Sequence, residues 1–321
     1  MRAIRSALLA STFLFTSNAA SMADVKVVAS IKPVHSLVAS VMQGVSEPSL
    51  LVKGAGSPHT YSLKPSQAKE LQEADIVFWM SHDLEAFLEN SIESIATNAT
   101  AVSLMDTHGL MKLNFREGGA FDSHDHGHDD HGNDKHDDHG HDKHDDHGHD
   151  EVDPHVWLDP QNAKSLVHEI EEHLAEIDPS NAAKYEANAK AVMKKLDALT
   201  KEIEADLKPI RERGYVVFHD AYQYFEKRFG VSAVGSITVS PEVLPGAERV
   251  SELRDKVKSL NASCVFSEPQ FEPKLVKTIT ENTDASTGVL DPLGTNIKDG
   301  PELYFTLIRN MAKSLKDCLM N

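Results

Sequence analysis

The stretch SNAAKYEANAKAVMKKLDALTKEIEADL, residues 180–207, is a helical pattern that runs without interruption. Ala, Lys, Glu and Leu dominate it, and neither Gly nor Pro occurs between its start and Pro209. At about 1.5 Å of rise per residue, such a helix would reach about 40 Å, which is longer than an ordinary interior helix. We therefore predict that a linking helix over residues 179–210 joins two lobes of the protein.

Short apolar runs alternate with helical patterns on both sides of this helix. Near-continuous runs rich in Val and Ile are typical of parallel strands that are covered on both faces. The order predicts an α/β fold with two parallel-sheet lobes, residues 24–178 and 211–321, joined by one long rigid helix. The predicted strands are 25–30, 48–52, 76–80 and 100–104 in the first lobe, and 215–220, 232–237, 263–268 and 286–291 in the second.

The first 23 residues, MRAIRSALLASTFLFTSNAASMA, have the pattern of a secretory signal peptide that is cleaved after Ala23. Their apolar run is far shorter than the roughly 20 residues of a membrane-spanning helix, and no later segment is long and apolar enough to span a bilayer. No Cys follows the cleavage point to carry a lipid, so we predict an exported chain that begins at Asp24. Because exported compartments are oxidising, Cys264 and Cys318 are predicted to form one disulfide bond.

Residues 122–151 hold ten of the eighteen histidines and contain the octapeptide KHDDHGHD twice, at 135–142 and 143–150. Eleven Asp, one Glu and two Lys in this tract contribute −10 of the formal net charge of −18. The tract lacks Val, Ile, Leu, Phe, Met, Trp and Tyr, so it cannot bury enough apolar surface to fold, and we predict a disordered insertion. We expect it to bind additional metal ions weakly, while the principal site lies in the folded part.

Three histidines lie in turns of the kind found at the ends of strands, and one aspartate lies at the end of a predicted strand. His59 lies in a Gly/Pro-rich loop after the second strand, His219 near the end of the fifth, and Asp291 at the end of the eighth. His155 lies between two Asp-Pro turns just past the tract. Ligands of parallel α/β lobes collect at the carboxyl ends of strands, so we predict a metal in the cleft between the lobes. Three imidazoles and a carboxylate favour Zn²⁺ in four-coordination.

Each of these four residues also has a plainer interpretation. A single histidine in a loop is more often a capping or surface residue than a ligand, and an aspartate before proline commonly makes a turn. The remaining histidines outside the tract are interpreted as structural or exposed, namely His35, His82, His108, His168 and His173.

Several other functions lack support in the residues. Outside the tract the chain is only mildly acidic and has no basic cluster, which argues against nucleic acid as a partner. The run HEIEEH, 168–173, resembles the HExxH motif of zinc proteases. Its two histidines are five positions apart and diverge by about 140° on a helix, so they cannot share one ion. No nucleophile elbow, P-loop or dinucleotide-binding glycine motif occurs either.

Nearly all of the mature chain resembles the periplasmic zinc-binding receptors of ABC uptake systems, the ZnuA family. The resemblance rests on five stretches that are weak singly and highly specific together: SIKPVHSLVA (30–39), GSPHTYSLKPSQAKEL (56–71), DPHVWLDPQNAK (153–164), VVFHDAYQYFEKRFG (216–230) and GVLDPLG (288–294). It implies that His59, His155 and His219 are metal ligands. Asp291 matches the fourth carboxylate position of the family, which not every zinc member uses.

The resemblance also implies a metal and a function. Manganese-binding relatives tend to have a carboxylate at the position of His219, so a third imidazole favours Zn²⁺. The implied protein is a monomeric receptor that captures Zn²⁺ in the periplasm, delivers it to a membrane permease and catalyses no reaction. Alternatives are a receptor for manganese or another divalent metal, a zinc buffer or adhesin in which the tract is the working part, and a zinc hydrolase.

Overall fold

The computed structural model describes residues 24–116, 121, 152–238, 246–260, 262–271 and 273–320. The predicted signal peptide, residues 1–23, lies outside the described residues. The tract of residues 122–151 that was predicted to be a disordered insertion also lies outside them. The limits 24–178 and 211–321 of the two lobes stay predictions.

The first lobe contains a sheet of four parallel strands in the order β2-β1-β3-β4. Its strands lie where the apolar runs predict them, because those runs supply side chains for both covered faces of the sheet. They are β1 Val27–Ala29, β2 Ser49–Leu50, β3 Ile76–Trp79 and β4 Thr100–Ser103, with helices α1 Lys32–Val41, α2 Pro65–Gln72 and α3 Ala86–Ile95 between them.

The second lobe repeats this topology with the strand order β6-β5-β7-β8, again all parallel. Its strands are β5 Tyr215–His219, β6 Ala233–Thr238, β7 Cys264–Ser267 and β8 Ser286–Val289, and its helices are α6 Gln223–Phe229, α7 Ala247–Ser259, α8 Pro273–Thr280 and α9 Leu303–Leu319. In both sheets the first strand in the chain lies second in the sheet. The predicted α/β class and the two parallel sheets are confirmed.

Two consecutive helices connect the lobes, α4 Pro160–Ile177 and α5 Ala182–Leu207. The linking helix α5 is confirmed, but it begins at Ala182 rather than at residue 179. The Asp178 carboxylate accepts hydrogen bonds from Ser180 Oγ at 2.6 Å and Asn181 Nδ2 at 2.7 Å. These bonds form a turn that ends α4 and leads into α5.

The lobes share one apolar core. Helix α5 packs against α1 of the first lobe and α9 of the second, and a single cluster of buried side chains includes residues of both lobes. Trp157 lies within this cluster and is completely buried. Its Nε1 donates to the carbonyl oxygen of Pro292 at 3.0 Å, and its own carbonyl accepts from Tyr304 Oη at 2.7 Å. A continuous apolar interface of this kind restrains relative motion of the lobes.

The predicted disulfide bond is confirmed, since Cys264 is bonded to Cys318. It connects the start of β7 to the last turns of α9 across 54 residues of sequence. Among the helices in the described part of the chain, none has both the length and the apolar composition that a bilayer crossing requires.

We expect the double substitution Cys264→Ala and Cys318→Ala to lower the free energy of unfolding by about 2–4 kcal/mol, because the bond restricts the unfolded chain. Urea denaturation of the metal-free protein measures this change. An unchanged denaturation midpoint would show that packing of α9 alone provides the restraint.

Candidate metal centre

The structure brings three of the four predicted site residues together. His59 lies in the short 3₁₀ turn Pro58–Thr60 that follows β2. His155 immediately precedes a second 3₁₀ turn, Val156–Leu158, and His219 is the last residue of β5. The strand ends and turns therefore direct the three imidazoles to one point at the junction of the lobes.

The three imidazoles form a compact cluster. One nitrogen of each lies within 4.8 Å of a nitrogen of the other two, and this is the one group of at least three metal-binding side chains among the described residues. The ring centroids are 5.3 to 5.7 Å apart. Nε2 of His155 and Nε2 of His219 approach to 3.4 Å. His155 and His219 are buried, while His59 is half-buried.

Two buried carboxylates orient two of these rings. Asp153 Oδ1 lies 2.6 Å from Nδ1 of His155, and Glu268 Oε1 lies 2.8 Å from Nδ1 of His219. Hydrogen bonds at Nδ1 place the proton there and leave the lone pair of Nε2 for a metal. Tyr222 Oη also donates to Glu268 Oε1 at 2.9 Å, which fixes that carboxylate.

Asp153 and Glu268 are not among the residues predicted from the sequence. Asp153 lies two residues before His155, and this closeness in sequence was a signal for it. Glu268 immediately follows β7, which neighbours β5 in the sheet, so it lies beside His219 at the carboxyl edge. An acidic residue after the adjacent strand was the signal that could have identified it.

The imidazoles of His59 and His219 differ in their basicity. Burial, and then the neighbouring His155 and His219, hold the pKa of His59 well below its usual value of 6.5. Burial also opposes protonation of His219, but the charge and the hydrogen bond of Glu268 outweigh it and raise the pKa of His219. His59 is therefore a neutral imidazole at neutral pH, as metal binding requires.

Asp291 is not part of this cluster of nitrogens. Its carboxylate accepts hydrogen bonds from the backbone N–H groups of Leu293, Gly294 and Thr295 at 2.6 to 3.1 Å. Gln270 Nε2 also donates to it at 3.1 Å. These contacts make Asp291 the centre of the loop that follows β8, and its direct coordination of a metal stays a prediction.

The loop after Asp291 is also held from the first lobe. Lys32 of α1 is buried, and its Nζ donates to the carbonyl oxygens of Thr295 at 3.1 Å and Ile297 at 2.8 Å. The same Nζ forms an ion pair with Asp299 at 3.1 Å. One cation thus attaches the loop beside the histidine cluster to the first lobe.

The other described histidines lie outside the cluster. His35 is buried with Nε2 3.0 Å from the carbonyl oxygen of Pro48. On α4, His168 lies within 3.8 Å of Glu171 and Glu172 and His173 lies 3.2 Å from Glu169, so each pairs with its own glutamates. His82 is exposed and paired with Glu89, and His108 is exposed.

A small cavity lies beside the cluster of imidazoles. Its lining combines the three imidazoles and Glu268 with apolar and aromatic surfaces, including Pro58, Trp157, Phe271, Pro292 and Leu293. Three imidazole nitrogens are a typical donor set for Zn²⁺. The apolar lining lowers the local dielectric constant, which strengthens electrostatic interactions at the cluster.

Several known proteins are similar to this chain in sequence. Residues 27–318 match the family model described as ZnuA, zinc-uptake complex component A, periplasmic. A protein of Brucella abortus, named high-affinity zinc uptake system protein ZnuA, is 55% identical over 332 residues and is covered to 99%, as is this chain. The chain belongs to the ZnuA family. A Yersinia pestis protein of the same name is 34% identical over 323 residues, with 98% of each chain covered.

The fold of the family agrees with the architecture described above. A crystal structure of ZnuA superposes on this chain with a TM-score of 0.75 at 25% sequence identity. The match covers 92% of this chain and all of the other. The two parallel sheets and the long connecting helix are therefore the arrangement of a ZnuA-type solute receptor.

We expect Glu268→Gln to weaken Zn²⁺ binding by about 10–100-fold, because the amide can no longer stabilise Nδ1–H of His219 with a charge. Competition with a chelator of known affinity measures the change. The matched control is Glu202→Gln, which removes a carboxylate from an exposed pair with Arg309. Equal affinities of the two variants would contradict the role assigned to Glu268.

Proposed function

We propose that this protein captures Zn²⁺ in the periplasm and delivers it to the membrane permease of an ABC uptake system. The observation that supports this proposal is the convergence of His59, His155 and His219 at the junction of the two lobes. The zinc ion is the cargo, so the protein makes and breaks coordination bonds only and catalyses no reaction. Relatives that are named as high-affinity zinc uptake proteins match this chain over almost their full length.

The proposed ligands of Zn²⁺ are Nε2 of His155, Nε2 of His219 and one imidazole nitrogen of His59. Neutral nitrogen donors suit Zn²⁺, whereas Mn²⁺ and Mg²⁺ prefer oxygen donors. The carboxylates of Asp153 and Glu268 would compensate part of the charge of the bound ion from behind the imidazoles. The fourth position would be taken by water or by Asp291, whose contacts with five hydrogen-bond donors oppose a ligand role.

We further propose that the chain is exported with cleavage after Ala23 and acts as a monomer that meets its permease transiently. The tract of residues 122–151 would supply weak additional sites near the tight one. Its carboxylates attract dications from solution, an effect that salt screens, and its ten imidazoles hold them loosely. Asp150 is only five residues from His155, so the tract ends close in sequence to a proposed ligand.

Substituting any one of His59, His155 and His219 with Ala should weaken Zn²⁺ binding by more than about 100-fold, since each loss removes a coordinate bond. Isothermal titration and elemental analysis of the purified mature protein measure affinity and content. The control His82→Ala removes an exposed histidine that pairs with Glu89 and should bind like the parent. Parent-like affinity in one of the three variants would exclude that residue as a ligand.

Deleting residues 122–150 should leave one tight zinc site and abolish the weak ones. A control that keeps the length of the tract and replaces its ten histidines with Asn should behave in the same way. In the parent, the weak sites should disappear below about pH 6.5, where free imidazole becomes protonated. Loss of the tight site on deletion would show that the tract itself is the principal binding element.

A further inference from the structure

Arg116 of the first lobe binds side chains of the second lobe. It is far in sequence from every proposed ligand. Its Nε donates to the two carboxylate oxygens of Asp220 at 3.0 and 2.9 Å, and Nη1 donates to Glu226 at 2.7 Å. Asp220 and Glu226 are each only 4% exposed. Phe121 covers the guanidinium, with its ring centroid 4.1 Å from the central carbon. One forked cation therefore binds two buried carboxylates of the second lobe.

The contacts of Arg116 belong to a larger polar attachment. We use the word strap for residues 113–116 and 152–155, which pair through an antiparallel bridge between Asn114 and Val152. Gln223 Nε2 donates to the carbonyl oxygen of Asn114 at 3.1 Å and to Asp153 Oδ2 at 2.7 Å. Helix α6 of the second lobe thus holds both halves of the strap.

The strap and the part of the second lobe that it contacts are each next to a proposed ligand. Asp153 of the strap holds Nδ1 of His155 at 2.6 Å. Asp220, which Arg116 binds, is the residue after His219. The relative position of the two Nε2 atoms, 3.4 Å apart, therefore depends on how the strap is seated on the second lobe.

We propose that Arg116 is a positioning residue of the metal centre. Its fork seats the strap against Asp220 and Glu226 and so keeps the imidazoles of His155 and His219 in register. Arg116 itself touches no metal. The residues of a binding site have to be held within about 0.5 Å of the productive geometry, so a loosened strap lowers affinity even with every ligand present.

The proposal depends on the planar, forked shape of the guanidinium group of Arg116. A guanidinium has five N–H donors in a fixed plane and can bind two carboxylates at once, whereas an ammonium group is a point charge. Arg116→Lys therefore keeps the charge and loses the geometry. This proposal rests on the proposed zinc site, because it concerns the precision of that site.

A purely structural role for Arg116 predicts different results. Removing the arginine leaves two buried carboxylates without a counter-charge, which by itself destabilises the fold. The triple variant Arg116→Gln, Asp220→Asn and Glu226→Gln removes that charge imbalance and also removes the fork. If Arg116 only neutralises charge, the triple variant regains both stability and zinc affinity.

The experiment compares the parent, Arg116→Gln, Arg116→Lys and the triple variant, all as the mature chain. The matched control is Arg309→Gln, which removes an exposed fork that binds Glu202 through two contacts of 2.8 Å. Zn²⁺ affinity is measured by chelator competition, site geometry by the visible spectrum of the Co²⁺-loaded protein, and stability by urea denaturation.

We expect Arg116→Gln to weaken Zn²⁺ binding by about 10–100-fold, the range found when groups behind metal ligands are lost. Arg116→Lys and the triple variant should also bind weakly with an altered Co²⁺ spectrum, while Arg309→Gln matches the parent. Parent-like affinity of Arg116→Gln, or of the triple variant, overturns the proposal. Absence of tight zinc binding in the parent would instead overturn the proposed function and leave the geometry of the strap unaffected.

Discussion

Nε2 of His155 and Nε2 of His219 are held only 3.4 Å apart, close enough for one metal ion to bind both nitrogens. The two side chains come from different lobes and are 64 residues apart in sequence. The surrounding structure supplies this constraint, and the apolar core that both lobes share is part of it. A core of close-packed side chains resists small displacements, so it can hold the two nitrogens at this distance.

Charge within the cluster is distributed unevenly, and the reason is structural. Glu268 contacts His219 directly, so the basicity of that imidazole rises in spite of its burial. Burial and two neighbouring imidazoles act on His59 in the opposite direction. The same site therefore contains a neutral imidazole, His59, and an imidazole whose Nδ1 is hydrogen-bonded to a carboxylate, His219. A carboxylate behind a ligating imidazole orients the ring and raises its basicity as a ligand.

The sequence was sufficient for the fold because its signals are periodic and local. Val- and Ile-rich runs gave the eight strands, and a long pattern without Gly or Pro gave the linking helix. Strand ends that are visible in the sequence made His59 and His219 candidates, two Asp-Pro turns made His155 one, and the family resemblance implied their role as ligands. An acidic residue at the end of a strand was visible at Glu268, but which strand neighbours β5 is a fact of the folded sheet, so Glu268 was not predicted. Asp291 has the right position along the chain, but the turn that follows it presents three backbone N–H groups to its carboxylate.

The bridge between Asn114 and Val152 brings together the two ends of a long insertion. Because both ends are secured on the folded domain, the number of residues between them has little influence on the rest of the protein. The entropic cost of closing a loop rises only logarithmically with its length, by about 0.6 kcal/mol for each doubling. The identical octapeptides 135–142 and 143–150 are the kind of sequence that duplication produces. Whole repeats added to this segment or removed from it would therefore leave the packing of the two lobes in place.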